Sequence, residues 1–400
     1  MPKHYNLQNV YDASIERLEF VFDNFEDVYL SFSGGKDSGV MFNLALKVAQ
    51  EKGKLPLKVL YVDLEAQYSS TIEYVKSVML HPDVDGYWIC LPLHLRNAVS
   101  QVKPHWLCWD TKEKDAWVRD LPDYPCVISD PDFFNFFKIG MEFEEFVPLF
   151  GEWISKGQQT ACFVGIRTDE SLNRFRTIAS TTKTTFKGKQ YTTKVSDNVY
   201  NAYPIYDWRT NDIWIANGKF GYAYNRIYDL MHLAGLSIHE MRICQPYGDD
   251  QRKGLWLFKI LEPQTWTKVV ARVEGANFGN KYSGDKALGN FVIKLPSGHT
   301  YKTYAKFLLS TLPPHIEQHY RKKIYKFLKY WKKHKEELPN KRLPDFGERK
   351  LEASRKVGSW RRIVKVLLKN DYWCKGLSFS QTKREMERQM DVVSRCYDNF

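Results

Sequence analysis

Short apolar runs alternate with longer segments whose apolar residues recur every three or four positions. NVYDASIERLEFVF, from Asn9 to Phe22, has the spacing of an amphipathic helix, and the apolar run DVYLSFS reads as a strand. SGVMFNLALKVAQEKG returns to helical spacing and stops at Gly53. LKVLYVDL predicts the next strand, Ser70–Leu80 a helix, YWICLPL a strand and TACFVGI another. A helix is predicted from Glu170. SDNVYNAYPIYDWRTNDIWIAN then gives an extended segment and a short helix capped at Thr210. Apolar strands between helices imply an α/β fold with a doubly wound parallel sheet, whose ligands sit at the carboxyl ends of the strands.

Between Pro104 and Gly151 the texture changes to dense aromatics and acids, HWLCWDTKEKDAWVRDLPDYP and DPDFFNFFKIGMEFEEFVPLF. This reads as an insertion over the ligand edge of the sheet, or as a peripheral aromatic subdomain. TTKTTFKGKQYTTK is polar and β-prone, a hairpin or a mobile loop.

Charge divides the chain further. Of 59 basic and 47 acidic residues, 25 and 11 fall within 301–400, so the whole basic excess lies in the last quarter. The expected organisation is a nucleotide-binding domain over 1–300, with its insertion at 104–151, followed by a basic helical region over 301–400. No apolar run is long enough for a membrane span, and the polar opening MPKHYNLQ does not read as a secretory signal. A soluble cytoplasmic protein without a membrane partner is expected. The seven cysteines include no C-x-x-C pair, which fits a reducing compartment. Cys90, His94, His105 and Cys108 have ligand types that suit zinc, but their order matches no zinc motif, and separate packed residues are the simpler reading.

The chemistry concentrates in Ser33-Gly34-Gly35-Lys36-Asp37-Ser38, between a predicted strand and a predicted helix. Two glycines let backbone N–H groups approach an anion closely, and the following helix offers its positive N-terminus. Lys36 would neutralise phosphate charge while Ser33 and Ser38 donate hydrogen bonds. The loop is not a Walker A motif, because Leu30 and Asp37 occupy positions that need Gly and Ser or Thr. Asp63 and Glu65 end the second strand, where carboxylates can hold Mg²⁺ or a ribose hydroxyl, or cap a helix and pair with a lysine. Gly165, Arg167, Glu170, Ser171 and Arg174 follow a later strand. Arginines there suit phosphate or sulfate, with Glu170 orienting Arg167 and Arg174 left for the anion; a surface ion-pair network is the plainer alternative.

In this order, SGGKDS, YVDLE, VGIRTDESLNR and YPIYDW…DIW resemble the phosphoadenosine phosphosulfate reductase-like branch of the adenine nucleotide alpha-hydrolase superfamily, over roughly Val28 to Ala216. The resemblance implies a Rossmann-like sheet, ATP with Mg²⁺ as cofactors, and cleavage of ATP between the alpha and beta phosphates. It implies Lys36, Asp37, Arg167 and Arg174 as catalytic residues. Ser33, Gly34, Gly35, Lys36, Asp37, Ser38, Asp63, Gly165 and Glu170 would bind nucleotide, with Asp63 on the metal. The remainder, including PHWLCWD and the basic C-terminus, is similar to IbrA-type proteins, regarded as reductases or transcriptional co-activators, which implies a ParB-like partner. Sulfonucleotide reductases rely on a cysteine in an E-C-G-L-H motif, which this sequence lacks; Cys374 and Cys396 have other contexts, and Cys244 is the remaining candidate.

The last quarter interleaves Lys and Arg with Tyr320, Tyr325, Phe327, Tyr330, Trp331 and Trp360. This suits nucleic-acid backbone contact, around Lys322, Lys326, Lys329, Lys333, Arg361 and Arg362, or alternatively a solvated face over an aromatic core. The expected function is activation of a nucleic-acid-associated substrate by an ATP-cleaving enzyme. A regulatory nucleotide-binding co-activator or a sulfonucleotide reductase-like enzyme are the alternatives.

Overall fold

The seven-stranded sheet has the order β6-β3-β2-β1-β7-β9-β8, and every neighbouring pair is parallel except β8 with β9. A computed structural model of the chain describes residues 7–100, 103–248, 255–276, 295–296, 298–312, 314–369 and 371–378. α1 (Val10–Asn24) begins at Asn9, whose side chain accepts the Asp12 N–H at 2.9 Å. β1 (Asp27–Ser31), α2 (Lys36–Glu51), β2 (Leu57–Val62), α3 (Ser69–Met79) and β3 (Val84–Ile89) follow. After the short β4 (His94–Arg96), β5 (His105–Leu107) and β6 (Val127–Ile128), the chain enters α4 (Phe143–Ser155). It continues through β7 (Thr160–Val164), α5 (Leu172–Ala179), β8 (Thr192–Lys194), β9 (Val199–Ala202), α6 (Thr210–Phe220) and α7 (Ile227–Leu233). α8 (Leu255–Leu261) and α9 (Pro263–Arg272) come next.

β1 lies between β2 and β7, and Ser31 is in register with Leu60 on one side and Val164 on the other. The chain runs outward from β1 to β6, then returns to start the other half at β7. Such a reversal leaves a crevice at the carboxyl ends of the two strands on either side of it. The loop after β1 and the residues after β7 are therefore brought together.

The sheet is the expected doubly wound α/β fold, with local departures. β3 starts at Val84, ahead of its apolar run, because Val84, Asp85 and Gly86 are in register with Leu57, Lys58 and Val59 of β2. Of TTKTTFKGKQYTTK only Thr192–Lys194 becomes strand, pairing antiparallel with β9 rather than within the segment. Thr210 is the first residue of α6 rather than its cap; Arg209 holds the cap position, and its N–H is taken by Asp212 at 2.7 Å. The aromatic segment contributes β6 to the sheet edge beside β3.

Among the described residues the chain separates into two compact units, one drawn from Met1–Leu95, Trp106–Pro246 and Trp256–Arg272 and the other from Arg96–His105, Tyr247–Leu255 and Val273 onward. The boundary thus differs from a division at residue 300. The second unit includes short upstream segments: Asn97 Nδ2 donates to the Glu274 carbonyl at 3.1 Å, and the Ala98 N–H to that of Tyr247 at 2.8 Å. Charge density follows surface composition, whereas these hydrogen bonds follow packing.

The second unit contains α10 (Tyr301–Ser310), α11 (Pro314–Lys333), α12 (Arg349–Ala353) and α13 (Trp360–Leu368). Ile316, Tyr320, Ile324, Phe327 and Trp331 of α11 pack in a core with Ala305, Leu309, Ile363, Val364 and Leu367. No helix among the described residues is long and apolar enough to cross a membrane.

Candidate phosphate-loop site

α2 starts directly from the loop, with Gly35 at its N-cap. Gly35 supplies no side-chain cap, so the helix N-terminus is built without the usual Ser or Asp oxygen. Gly34 has φ +71°, and a Cβ there would lie 3.0 Å from Thr71 and 3.1 Å from Val75. Both restrictions call for glycine. The Ser33 and Ser38 hydroxyls are 3.0 Å apart, and Ser38 Oγ also takes the Ser33 N–H at 3.2 Å. The two serines therefore close the loop on itself and hold two hydroxyls at its rim.

Lys36 is buried. Its ammonium lies 3.3 Å from Asp37 and donates to the Met241 carbonyl at 3.3 Å. Asp37 also receives Arg167 Nε at 2.6 Å. Gly165 makes this pairing possible: a Cβ there would stand 3.1 Å from the backbone of Ser38, so only glycine lets the end of β7 approach α2 so closely.

The expected division of labour between the arginines changes. Arg167 is 2% exposed and oriented by Asp37 and the Trp208 carbonyl, not by Glu170. Glu170 instead pairs with Arg174 and accepts the Arg167 backbone N–H. Arg174 stays partly exposed at the start of α5, where Ser171 caps the helix by accepting the Arg174 N–H at 3.2 Å.

Asp63 and Glu65 enter a different network, and the metal reading of Asp63 is corrected. Asp63 is fully buried, and its carboxylate accepts the Glu65 N–H at 3.0 Å, the Trp88 indole at 2.8 Å and the Arg119 guanidinium, while the Cys90 thiol also hydrogen-bonds it. Donors occupy the lone pairs that Mg²⁺ would need, so the donor set does not fit the ion. Glu65, also fully buried, accepts the N–H groups of Trp109 and Val118 at 2.8 and 3.1 Å and the guanidinium of Arg272 at 2.8 Å. The aromatic segment is thereby fastened over the end of β2.

The cysteines near this network are packed separately. The Cys108 thiol donates to the Leu91 carbonyl at 3.5 Å, and burial pushes both it and Cys90 up, keeping them neutral. Burial lowers His94 to about 4. Neutral buried thiols are poor nucleophiles. Burial likewise raises Cys162 and Cys374; Cys244 is partly exposed, and Cys396 lies outside the described residues.

Sequence patterns alone missed three contributors to the loop. Asn225, fully buried, donates to the Gly34 carbonyl at 3.0 Å and to Thr71 Oγ1 at 2.9 Å. The Tyr228 hydroxyl accepts the Lys36 N–H at 3.1 Å. Ile243 lies against Gly34 and Gly35. Each comes from some 190 or more residues away, as Asn225 and Tyr228 show by separations of 191 and 192. No local signal marks them.

In the helical unit, Lys322, Lys326, Lys329 and Lys333 lie along one exposed face of α11, beside the exposed Tyr325 and Tyr330. Tyr320, Phe327 and Trp331 are core. The two arginines expected at this face, Arg361 and Arg362, are turned inward. Arg361 Nε pairs with Glu352 at 2.9 Å; the Arg362 guanidinium donates to the carbonyls of Val357 and Gly376 at 2.7 and 2.8 Å.

Two family models match the chain. The phosphoadenosine phosphosulfate reductase domain matches residues 27–101 and 143–233, leaving out most of the aromatic segment. A domain of unknown function, DUF3440, matches residues 235–352. The structure of phosphoadenylyl-sulfate (PAPS) reductase from Candida auris, a phosphate complex, aligns with a TM-score of 0.31 and 12% identity, over 58% of this chain and 95% of that one. The uncharacterized protein MJ0973 of Methanocaldococcus jannaschii is 25% identical over 266 residues, 58% of this chain and 52% of that protein. The uncharacterized protein YbdN of Escherichia coli (strain K12) is 42% identical over 382 residues, 94% of this chain and 91% of its own length. With a reductase-type domain on its sheet and that identity along nearly its whole length, the chain belongs to the YbdN family.

Proposed function

We propose that the protein binds ATP at the Ser33–Ser38 loop and cleaves it between the alpha and beta phosphates to activate a nucleic-acid-associated acceptor. The observation that carries this reading is the junction of β1 and α2, where a glycine N-cap, paired serine hydroxyls and Lys36 meet at the crevice beside β7. The helix N-terminus and Lys36 offset the charge of the leaving pyrophosphate. Asp37, held by Arg167, keeps the Lys36 ammonium at the loop. Arg174, which pairs with Glu170 in the structure, is assigned to the charge that develops at the alpha phosphate. A nucleophile on the acceptor attacks the alpha phosphorus, the bond to the bridging oxygen breaks, and pyrophosphate departs with that electron pair. No step is assigned to a metal at Asp63.

Incubation with ATP labelled in the alpha and gamma phosphates, with and without RNA or DNA, tests the reading. Pyrophosphate release supports it. Binding without turnover would instead indicate nucleotide-controlled engagement of a partner, the role implied by a co-activator with a ParB-like protein. Lys36→Ala should lower ATP affinity in calorimetry by about 1.5–3 kcal/mol, the range for losing a charge-assisted hydrogen bond. An unchanged affinity in a folded variant would refute the loop assignment.

The acceptor's polyanion is engaged by the lysine face of α11. Lysines at four positions of one exposed helix face can each neutralise a phosphate, so binding should weaken steeply with salt and depend little on base sequence. Each Lys→Ala change among Lys322, Lys326, Lys329 and Lys333 should reduce the log–log salt slope by about 0.7–0.9. Changing Arg362 should alter stability rather than this slope. Absence of both RNA and DNA binding at low salt would mark the face as a protein-docking surface.

A further inference from the structure

The Tyr228 hydroxyl has one role that the fold explains and one that it does not. It accepts the Lys36 N–H at 3.1 Å, which satisfies the first amide of α2. The side chain is only 2% exposed, yet among the described residues no acceptor takes the hydroxyl's own proton. A buried hydroxyl donor without an acceptor is costly, and native structures pair such groups with protein, water or ligand. The ring is held independently, against Trp214 with centroids 5.5 Å apart and against the Lys36 ammonium at 5.6 Å. Gly35 leaves room beside the hydroxyl: a Cβ there would come within 3.5 Å of it.

We infer that Tyr228 is a phosphate-binding residue whose hydroxyl, fixed by the Lys36 N–H, donates its proton to an oxygen of the nucleotide's pyrophosphate moiety. The chain of two hydrogen bonds carries the polarity of the helix N-terminus onto the ligand through the phenol. The N-cap glycine then acquires a reason: a side chain on Gly35 would begin 3.3 Å from the Ser33 hydroxyl and 3.5 Å from the phenol, in the space the ligand oxygen needs. Burial holds the phenol well above its ordinary range, so it remains a proton donor rather than a phenolate repelling the anion. The inference rests on the nucleotide reading of the loop and extends it to a residue on α7.

The test compares wild type, Tyr228→Phe and Lys36→Ala in full-length protein, using calorimetry with ATP, inorganic pyrophosphate and adenosine. Phe keeps the ring packing and removes only the hydroxyl. Tyr228→Phe should weaken ATP and pyrophosphate by roughly ten- to a hundredfold, the scale of a hydrogen bond to a charged group, while leaving adenosine binding unchanged. Thermal unfolding of the variants without ligand checks that the effect is not a folding defect. Unchanged or tighter pyrophosphate binding by Tyr228→Phe, alongside loss in Lys36→Ala, overturns the role of Tyr228 and leaves the loop reading intact. Equal loss for adenosine also overturns it, since the hydroxyl would then act only through packing. If wild type binds neither ATP nor pyrophosphate, both readings fall.

Discussion

Glu65→Gln should destabilise the protein by about 3–5 kcal/mol, read as a lowered urea midpoint at an unchanged slope. The substitution conserves volume, so no cavity term contributes. What changes is the match of donors and acceptors. Four N–H groups converge on this carboxylate: those of Trp109 and Val118, and the Nε and Nη2 of Arg272. An amide offers a single acceptor oxygen and turns an NH₂ group toward two of these donors, since each carboxylate oxygen accepts two. Arg272, with its side chain only 2% exposed, would retain Glu113 as its carboxylate partner. Glu65 also has φ +66°, a left-handed backbone that a non-glycine residue adopts only when its surroundings hold it there. A loss below 1 kcal/mol would show that the network does not anchor the aromatic segment to β2.

Arg167→Ala should cost about 3 kcal/mol of stability and also weaken nucleotide binding. Removing one partner of a buried pair leaves the other's charge poorly compensated. Here Asp37 would be left with Lys36 at 3.3 Å, drawing the loop's ammonium away from a ligand. The expected coupling is measurable: with Asp37→Asn already present, removing Arg167 should cost less by at least about 1 kcal/mol. Additive losses would mean that Arg167 acts through the Trp208 carbonyl and packing alone.

The basic excess did not translate residue by residue into a binding face. Along α11 the buried residues recur at Ile316, Tyr320, Ile324, Phe327 and Trp331, which leaves Lys322, Lys326, Lys329 and Lys333 on another side. Arg361 and Arg362 share the same basic stretch of sequence but are turned inward by Glu352 and by backbone carbonyls. Local composition cannot distinguish these cases, because a guanidinium satisfied by carbonyls and one waiting for phosphate have the same sequence signature.

By itself the sequence determined the alternation of strand and helix, the loop between β1 and α2, and the glycines that loop requires. These follow from short-range physics: side-chain periodicity, the absence of a Cβ, and the positive end of a helix. The tertiary structure decided which distant groups complete the loop and which carboxylates are spent elsewhere. Asn225 and Tyr228 reach it from 191 and 192 residues away, and Arg167 finds Asp37 across 130. Asp63, placed plausibly at a strand end, is instead enclosed by Trp88 and Arg119. A carboxylate's role depends on which donors surround it after folding, and that is fixed by strand order and packing rather than by neighbours in the chain.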